Sequence, residues 1–276
     1  MPPTPATPDE LPANQTDTLT VEVRSQIALV TLARAAKRNA IDTATLLGLE
    51  RFFLSPPSGV RAVVLAGDGP HFCAGLDLGS LADAGVFEGV EHSRMWHRVM
   101  GVIQFGRVPV VCALQGAVIG GGLELASAAH LRVADSTAFY ALPEGQRGIF
   151  VGGGGSVRLP RLIGVSRMTD LLLTGRVYDA QEGQDAGLSH YLVPAGQALA
   201  KALELAEKVA ATADLTTFAV LQALPRIAEA SPDQGYLLES LMSAVAQGSD
   251  EAKQRMRAFL DGRAAKVAVS TNGPQQ

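Results

Sequence analysis

The chain has 276 residues, 47% hydrophobic and 18% charged, a globular composition long enough for one large domain with a helical appendage. A net charge of -4 and a pI near 5.7 argue against a general nucleic-acid binder, which would usually be basic. Cys73 and Cys112 are the only cysteines, too few for a disulfide framework or a cysteine metal cluster, and they point to a reducing cytoplasm.

Residues 1–18 hold Pro and Thr but no Lys, no Arg and no apolar core. They read as neither signal nor transit peptide, and a disordered tail is predicted. Leu19 to Val23 and Ile27 to Leu32 are short β-branched runs with a polar break, hence a hairpin. Asp42 is placed to cap a helix running to about Phe53. Val60 to Ala66 reads as a buried strand ended by the turn Gly67-Asp68-Gly69-Pro70. Glu91 to Phe105 has apolar residues at helical spacing, and Val108 to Leu114 is a further strand. Pro109 to Ala129 is long and nearly uncharged, but Glu124 and its glycines make a buried soluble core the better reading than a membrane span. Gly120-Gly121-Gly122 opens a helix over about 123–129, and Leu131 to Ala134 and Ala138 to Ala141 are short strands. From Ser156 onward helices are predicted over about 156–163, 166–173, 198–211, 214–229, 233–247 and 249–260. Strands and helices thus alternate in the first two-thirds, and the last third is helical.

Glu124 lies in the helix Leu123-Glu124-Leu125-Ala126-Ser127-Ala128-Ala129, apolar nearly all round, with no Lys or Arg three or four residues away. A buried carboxylate without a local partner is costly and should have a raised pKa, which concentrates at functional sites. The plainer alternative is a Glu facing solvent or a distant Arg. The three glycines before it let backbone approach a ligand and aim free N–H groups at a developing oxyanion, or they simply pack strand against helix. Glu144 follows Pro143 at the end of an apolar strand, and taken singly it reads as a surface Glu paired with Arg147. Other glycine motifs fail: Gly120-Gly121-Gly122 lacks the third glycine of a dinucleotide fingerprint, and Gly152 to Gly155 lacks the Lys-Ser/Thr of a phosphate loop. The histidines show no metal-ligand spacing, and His92 and His97 read as helix-surface residues.

The stretch Gln115-Gly116, Gly120-Gly121-Gly122, Glu124-Leu125-Ala126, then Phe139 and Pro143-Glu144 in register, resembles the signature of the crotonase (enoyl-CoA hydratase/isomerase) superfamily. Lys37-Arg38-Asn39-Ala40, Phe72 to Leu78, Arg158 to Gly164 and Leu173-Thr174-Gly175 resemble its other landmarks, so the likeness runs from about residue 19 to 264. The twenty-residue separation of the two glutamates matches enoyl-CoA hydratases. The resemblance implies an α/β fold, the crotonase (ClpP/crotonase-like) spiral of strand-strand-helix units over 19–197, with a helical oligomerisation region over 198–276 that builds trimers or hexamers. It implies an acyl-CoA substrate, with no metal or redox cofactor and no nucleic-acid or membrane partner. Glu124 would help activate a water for attack at Cβ, and Glu144 would supply a proton to Cα. The N–H groups of Leu76 and Gly121 would form an oxyanion hole, and the Gly152 N–H would touch the water. Lys37, Arg38 and Ala74 are the implied CoA contacts. The chain departs from the pattern at Arg34-Ala35, Val151-Gly152 and Gly262. The segment Pro143 to Gly152 resembles the methylthioacryloyl-CoA hydratase branch, which would make methylthioacryloyl-CoA the substrate. Trp96, Met95 and Phe87 are candidate acyl-pocket residues. The alternatives are isomerase, thioester hydrolase or dehalogenase chemistry on the same fold, or a non-catalytic CoA-binding scaffold.

Overall fold

Alternating β-branched residues form the first hairpin. The protein is described by a computed structural model over residues 17–80 and 84–264, so the tail expected over 1–18 falls outside it up to residue 16. Strands β1 (Leu19–Arg24) and β2 (Ile27–Leu32) pair antiparallel. Asp42 Oδ1 accepts the Thr45 N–H at 2.8 Å and starts α1 (Thr43–Leu54). Then follow β3 (Ala62–Gly67), α2 (Val86–Gln104), β4 (Val110–Leu114), β5 (Ala117–Ile119), α3 (Gly121–Ala128), β6 (Leu131–Asp135) and β7 (Phe139–Ala141). Helices α4 (Gly155–Ile163) and α5 (Val165–Thr174), strand β8 (Val177–Tyr178), helix α6 (Ala180–Ala186), strand β9 (Tyr191–Val193) and helix α7 (Ala198–Ala210) complete the first of two compact units, which closes after residue 211.

That unit holds two sheets. The larger has the order β1-β2-β3-β4-β6-β9 and is parallel after the first hairpin; the smaller has the order β5-β7-β8. Strand alternation sorts the side chains into two cores. From β3, Val63 and Leu65 face the main core, while Ala62, Val64 and Ala66 face the other side. There they meet Ala198, Ala202, Leu205, Ala206 and Ala210 of α7. The small side chains on both partners let helix and sheet approach closely. Helix α7 therefore covers the sheet of the first unit, and the division expected between 197 and 198 falls after α7. The apolar run Pro109 to Ala129 contains strand, turn, strand and helix, and no helix among the described residues is long and apolar enough to cross a membrane.

The second unit begins at Thr212. The helix expected over 214–229 is interrupted: α8 (Asp214–Phe218) passes through a π turn, Ala219–Ala223, into α9 (Leu224–Glu229). Pro225 has no N–H for an i→i−4 bond, and the widened turn accommodates it. Helices α10 (Pro232–Gly248) and α11 (Asp250–Leu260) follow.

His130 ties three elements of the first unit. Its Nδ1 accepts the Val110 N–H at 2.9 Å, its own N–H donates to Val110 O at 3.0 Å, and Nε2 reaches Gln104 O at 3.0 Å. Nε2 must carry the proton, so the ring is neutral. Burial pushes its pKa from 6.5 down to about 4, with the Arg132 charge adding to the fall and the Gln104 bond opposing it. Between those two pH values the unfolded chain takes up a proton that the native ring refuses. The stabilisation is complete above pH 6.5 and is lost as pH falls towards 4, by up to about 3 kcal/mol. Urea melts at pH 7 and 4.5 should show a smaller acid loss in His130→Gln than in the wild type. Equal losses would show that His130 does not set the acid sensitivity.

Candidate active site

Two glycine turns bring the site together. Gly75 (φ 98°) and Gly120 (φ 52°) have backbone conformations that disfavour a side chain. A Cβ added to Gly75 would lie 3.3 Å from the Gly121 nitrogen, and one on Gly121 would lie 3.3 Å from the Leu76 nitrogen. The Leu76 and Gly121 N–H groups are therefore neighbours, and among the described residues neither has an acceptor. Gly121 is the first residue of α3, where an N–H has no partner within the helix.

The segment before Leu76 is held by the Lys37 to Ala40 landmark. Ala74 N–H donates to Arg38 O, Ile41 N–H to Gly75 O, and Asp77 N–H to Ile41 O, each at 2.8 or 2.9 Å. The Asn39 amide donates to Asp68 O and His71 O, both at 2.8 Å. Arg34 pairs with Asp42 and Asp77. This landmark supports the Leu76 loop, while the Lys37 and Arg38 side chains are exposed and do not line the cavity.

A cavity of about 220 Å³ opens beside the two N–H groups. Leu76, Gly121, Glu124, Glu144, Gly152 and Ala74 all line it. So do Trp96 and the residues Ile149, Phe150, His92 and Ser93 that sequence reasoning did not assign to it. Phe87 is 76% exposed and Met95 packs on the core, and neither lines the cavity. Trp96 is the wall: a Cβ on Gly121 would meet Trp96 Cη2 at 2.7 Å, and one on Gly153 would meet its Cε3 at 2.7 Å.

The two carboxylates have unlike surroundings. Glu124, 4% exposed, accepts N–H bonds at Oε1 from Gly153 (2.8 Å) and Gly155 (2.7 Å). A Cβ on Gly155 would sit 2.8 Å from that oxygen, so glycine is needed for the approach. Glu144, 7% exposed, has no partner for Oε2 among the described residues, and a Cβ on Gly120 would sit 2.6 Å from its Oε1. No ion pair joins Glu144 to Arg147 among the described residues, so the surface pairing expected of Glu144 in isolation is not formed. Burial pushes both pKa values up; the Gly155 and Gly153 bonds oppose this at Glu124, and the Glu124 charge adds to it at Glu144. Two N–H donors from the loop favour Glu124 as the carboxylate; at Glu144 only its own backbone N–H and the Arg147 charge oppose burial, and its Oε2 has no partner among the described residues, which favours Glu144 as the acid. Gly152 presents its carbonyl to Ser93 Oγ, and the Glu124 contacts come from the next residues along the loop. No group of three or more His, Cys, Asp or Glu that could hold a metal occurs among the described residues.

The sequence matches the enoyl-CoA hydratase/isomerase family over residues 22–268. It is 32% identical to enoyl-CoA hydratase EchA19 of Mycobacterium tuberculosis, covering 88% of this chain and 94% of that protein. It is 31% identical to the 2,3-dehydroadipyl-CoA hydratase of Escherichia coli K12, covering 89% and 96%. Among solved structures, a candidate enoyl-CoA hydratase from Rhodopseudomonas palustris CGA009 shares 58% identity over 91% of this chain and 97% of that one, with a TM-score of 0.87. The Bacillus anthracis enoyl-CoA hydratase shares 29% identity over 89% and 97%, with a TM-score of 0.83. With its sheets, its glycine-built N–H pair and its helical C-terminal region, the chain has the crotonase fold and belongs to the enoyl-CoA hydratase/isomerase family, as an enzyme of the enoyl-CoA hydratase type.

Proposed function

We propose that the protein adds water across the 2,3 double bond of a CoA thioester through Glu124 and Glu144. One observation carries this reading: two buried carboxylates with unlike hydrogen-bonding environments line one cavity, beside two N–H groups that have no acceptor among the described residues. Glu124 takes a proton from water as its oxygen bonds to Cβ. The electron pair of the double bond moves towards the thioester carbonyl, whose developing oxyanion the Leu76 and Gly121 N–H groups hold. Glu144 gives its proton to Cα. Water is thereby consumed in full, and proton exchange with solvent resets both carboxyls. The Gly152 edge of the loop borders the water's place. No metal or redox cofactor is required, because coenzyme A arrives with the substrate; Ala74, on the cavity wall, and the exposed Lys37 and Arg38 outside it are the CoA contacts in this reading. An isomerase would need only one acid–base group, and the solvation of Glu124 by two N–H donors favours hydration.

The acyl group we assign is methylthioacryloyl. The assignment rests on the Pro143 to Gly152 segment, whose Ile149 and Phe150 supply apolar cavity wall suited to a short acyl group. The test is a panel of crotonyl-CoA, longer enoyl-CoAs, methylthioacryloyl-CoA and hydroxycinnamoyl-CoA. Loss of 2-enoyl absorbance, unaffected by chelator, is expected, with methylthioacryloyl-CoA turned over best. A chelator-abolished reaction, or none with any thioester, would overturn the reading.

We also infer a homotrimer or a hexamer of paired trimers in the cytoplasm, a compartment that the two free thiols support. On α10, Leu237, Leu241 and Val245 are more than half exposed within the chain, an apolar stripe suited to another subunit. Light scattering should give three or six times the 28.8 kDa chain mass, and a monomer that persists at all concentrations would refute it.

A further inference from the structure

The peptide between Gly152 and Gly153 is held at both ends. Its N–H, on Gly153, donates to Glu124 Oε1 at 2.8 Å. Its C=O, on Gly152, accepts from Ser93 Oγ of α2 at 2.6 Å. The single hydroxyl proton of Ser93 is used there, so Ser93 Oγ meets His97 Nε2, 3.4 Å away, as an acceptor. Glycine on both sides leaves this peptide without a Cβ to fix its plane. Rotation would turn the carbonyl oxygen towards the Glu124 carboxylate and its N–H away. The next peptide is pinned separately, by Arg158 Nη2 on Gly153 O at 2.8 Å, and the Gly155 N–H bond to Glu124 lies beyond it. The hydroxyl of Ser93 holds the carbonyl end of the Gly152–Gly153 peptide, opposite the end bound to Glu124.

We propose that Ser93 is a positioning residue for the catalytic base: by holding the Gly152 carbonyl it keeps the Gly153 N–H on Glu124 and keeps Glu124 ionised. This deepens the hydration reading and rests on Glu124 as the base. It also gives the glycine loop a control point on a helix that contributes no carboxylate to the site. The charged and titratable groups facing Glu124 are Arg158 from α4, His97 from α2 and Glu144 from the loop after β7; Ser93→Ala leaves Arg158 and Glu144 untouched and removes the Ser93 Oγ contact of His97, which Ser93→Thr keeps.

The test compares wild type, Ser93→Ala and Ser93→Thr. In Ser93→Ala the acid limb of the kcat/KM profile should move up by about one pH unit, as expected for losing one donor to an ionised carboxylate. On that limb kcat should fall roughly threefold to tenfold, with KM changed less than about twofold, because Ser93 acts through the base rather than on substrate binding. Ser93→Thr, which keeps the hydroxyl, should restore the limb. A second readout needs no turnover. The protonated-carboxyl infrared band of Glu124, identified by its loss in Glu124→Gln, should titrate about one pH unit higher in Ser93→Ala. If the wild type hydrates no thioester, the function fails while the infrared shift still tests the role of Ser93. Alanine is the best helix former, so α2 should tolerate the change; if the variant does not fold, Ser93→Cys, with its weaker donor, should shift the same band part of the way. Unmoved limb and band with only a lower melting temperature would overturn the proposal, as would equal shifts in Ser93→Ala and Ser93→Thr.

Discussion

Glu124→Gln and Glu144→Gln should each lower kcat by roughly 10²–10⁴, because each keeps the side chain's shape and removes its acid–base capacity. The Glu124 amide still offers an oxygen to the Gly153 and Gly155 N–H groups, so the loop should stay in place. Affinity for a saturated acyl-CoA should change little, since the Leu76 and Gly121 donors are backbone groups. The double variant should lose less than the product of the single losses, as groups acting as a unit do. Stability should move in the opposite sense to activity. Burial raises the folded pKa of Glu144 above its ordinary 4.5, so the stability of the native acid is lost as pH rises through that folded pKa. A neutral amide escapes that loss, and Glu144→Gln should melt at or above the wild-type temperature at pH 8. Single-turnover rates and melting curves on the same preparations check both statements. Near-wild-type turnover in either single variant would remove that residue from the mechanism. If this occurred in Glu124→Gln alone, the reaction would be an isomerase-like use of Glu144.

Much of this site is legible because its chemistry is local in sequence. The Gly120-Gly121-Gly122-x-Glu124 run states its own geometry: free N–H groups at a helix start, with a carboxylate one turn in. Asp42 as a cap and the hairpin of β1 and β2 are legible for the same reason. What was hidden depends on contacts far apart in the chain. Ser93 and His92 look like surface helix residues until α2 is set against the 152–155 loop. Gly153 and Gly155 become donors to Glu124 only through contacts spanning 29 and 31 residues. Helix α2 begins at Val86 rather than near Glu91, because Val86, Phe87 and Val90 are exposed and do not continue the buried stripe; Glu88, receiving the Gly85 N–H at 2.8 Å, marks its start. The short β5, β8 and β9 carry too few residues to show alternation. Helix α6 is a different case. Asp179 and Glu182 form a reciprocal capping box at 2.8 and 3.1 Å, a helix-start signal that is local in the sequence.

Gly121→Ala should lower kcat by about 10²-fold, in the range of losing one oxyanion donor. Gly121 has no left-handed backbone, unlike Gly120 at φ 52°, so alanine here introduces a methyl group without backbone strain. In an open helix start the change would even favour the helix, by up to about 1 kcal/mol. In this chain the methyl would lie 2.7 Å from Trp96 Cη2 and 3.3 Å from the Leu76 nitrogen. Trp96 is buried and cannot swing aside freely, so the strain should fall on the start of α3 and move the Gly121 N–H out of line with that of Leu76. Trp96→Phe shortens the opposing ring and removes the Cη2 contact. On its own it should cost activity modestly, through the cavity it leaves. In the Gly121→Ala/Trp96→Phe double variant, kcat should recover about tenfold over Gly121→Ala, a coupling between neighbours that a double-mutant cycle reads directly. Binding of a saturated acyl-CoA should follow the same order, because its thioester oxygen uses the same two donors. A Gly121→Ala enzyme with wild-type kcat would show that the Gly121 N–H does not hold the oxyanion. An activity loss that Trp96→Phe leaves uncorrected would show that the indole is not the wall that fixes it.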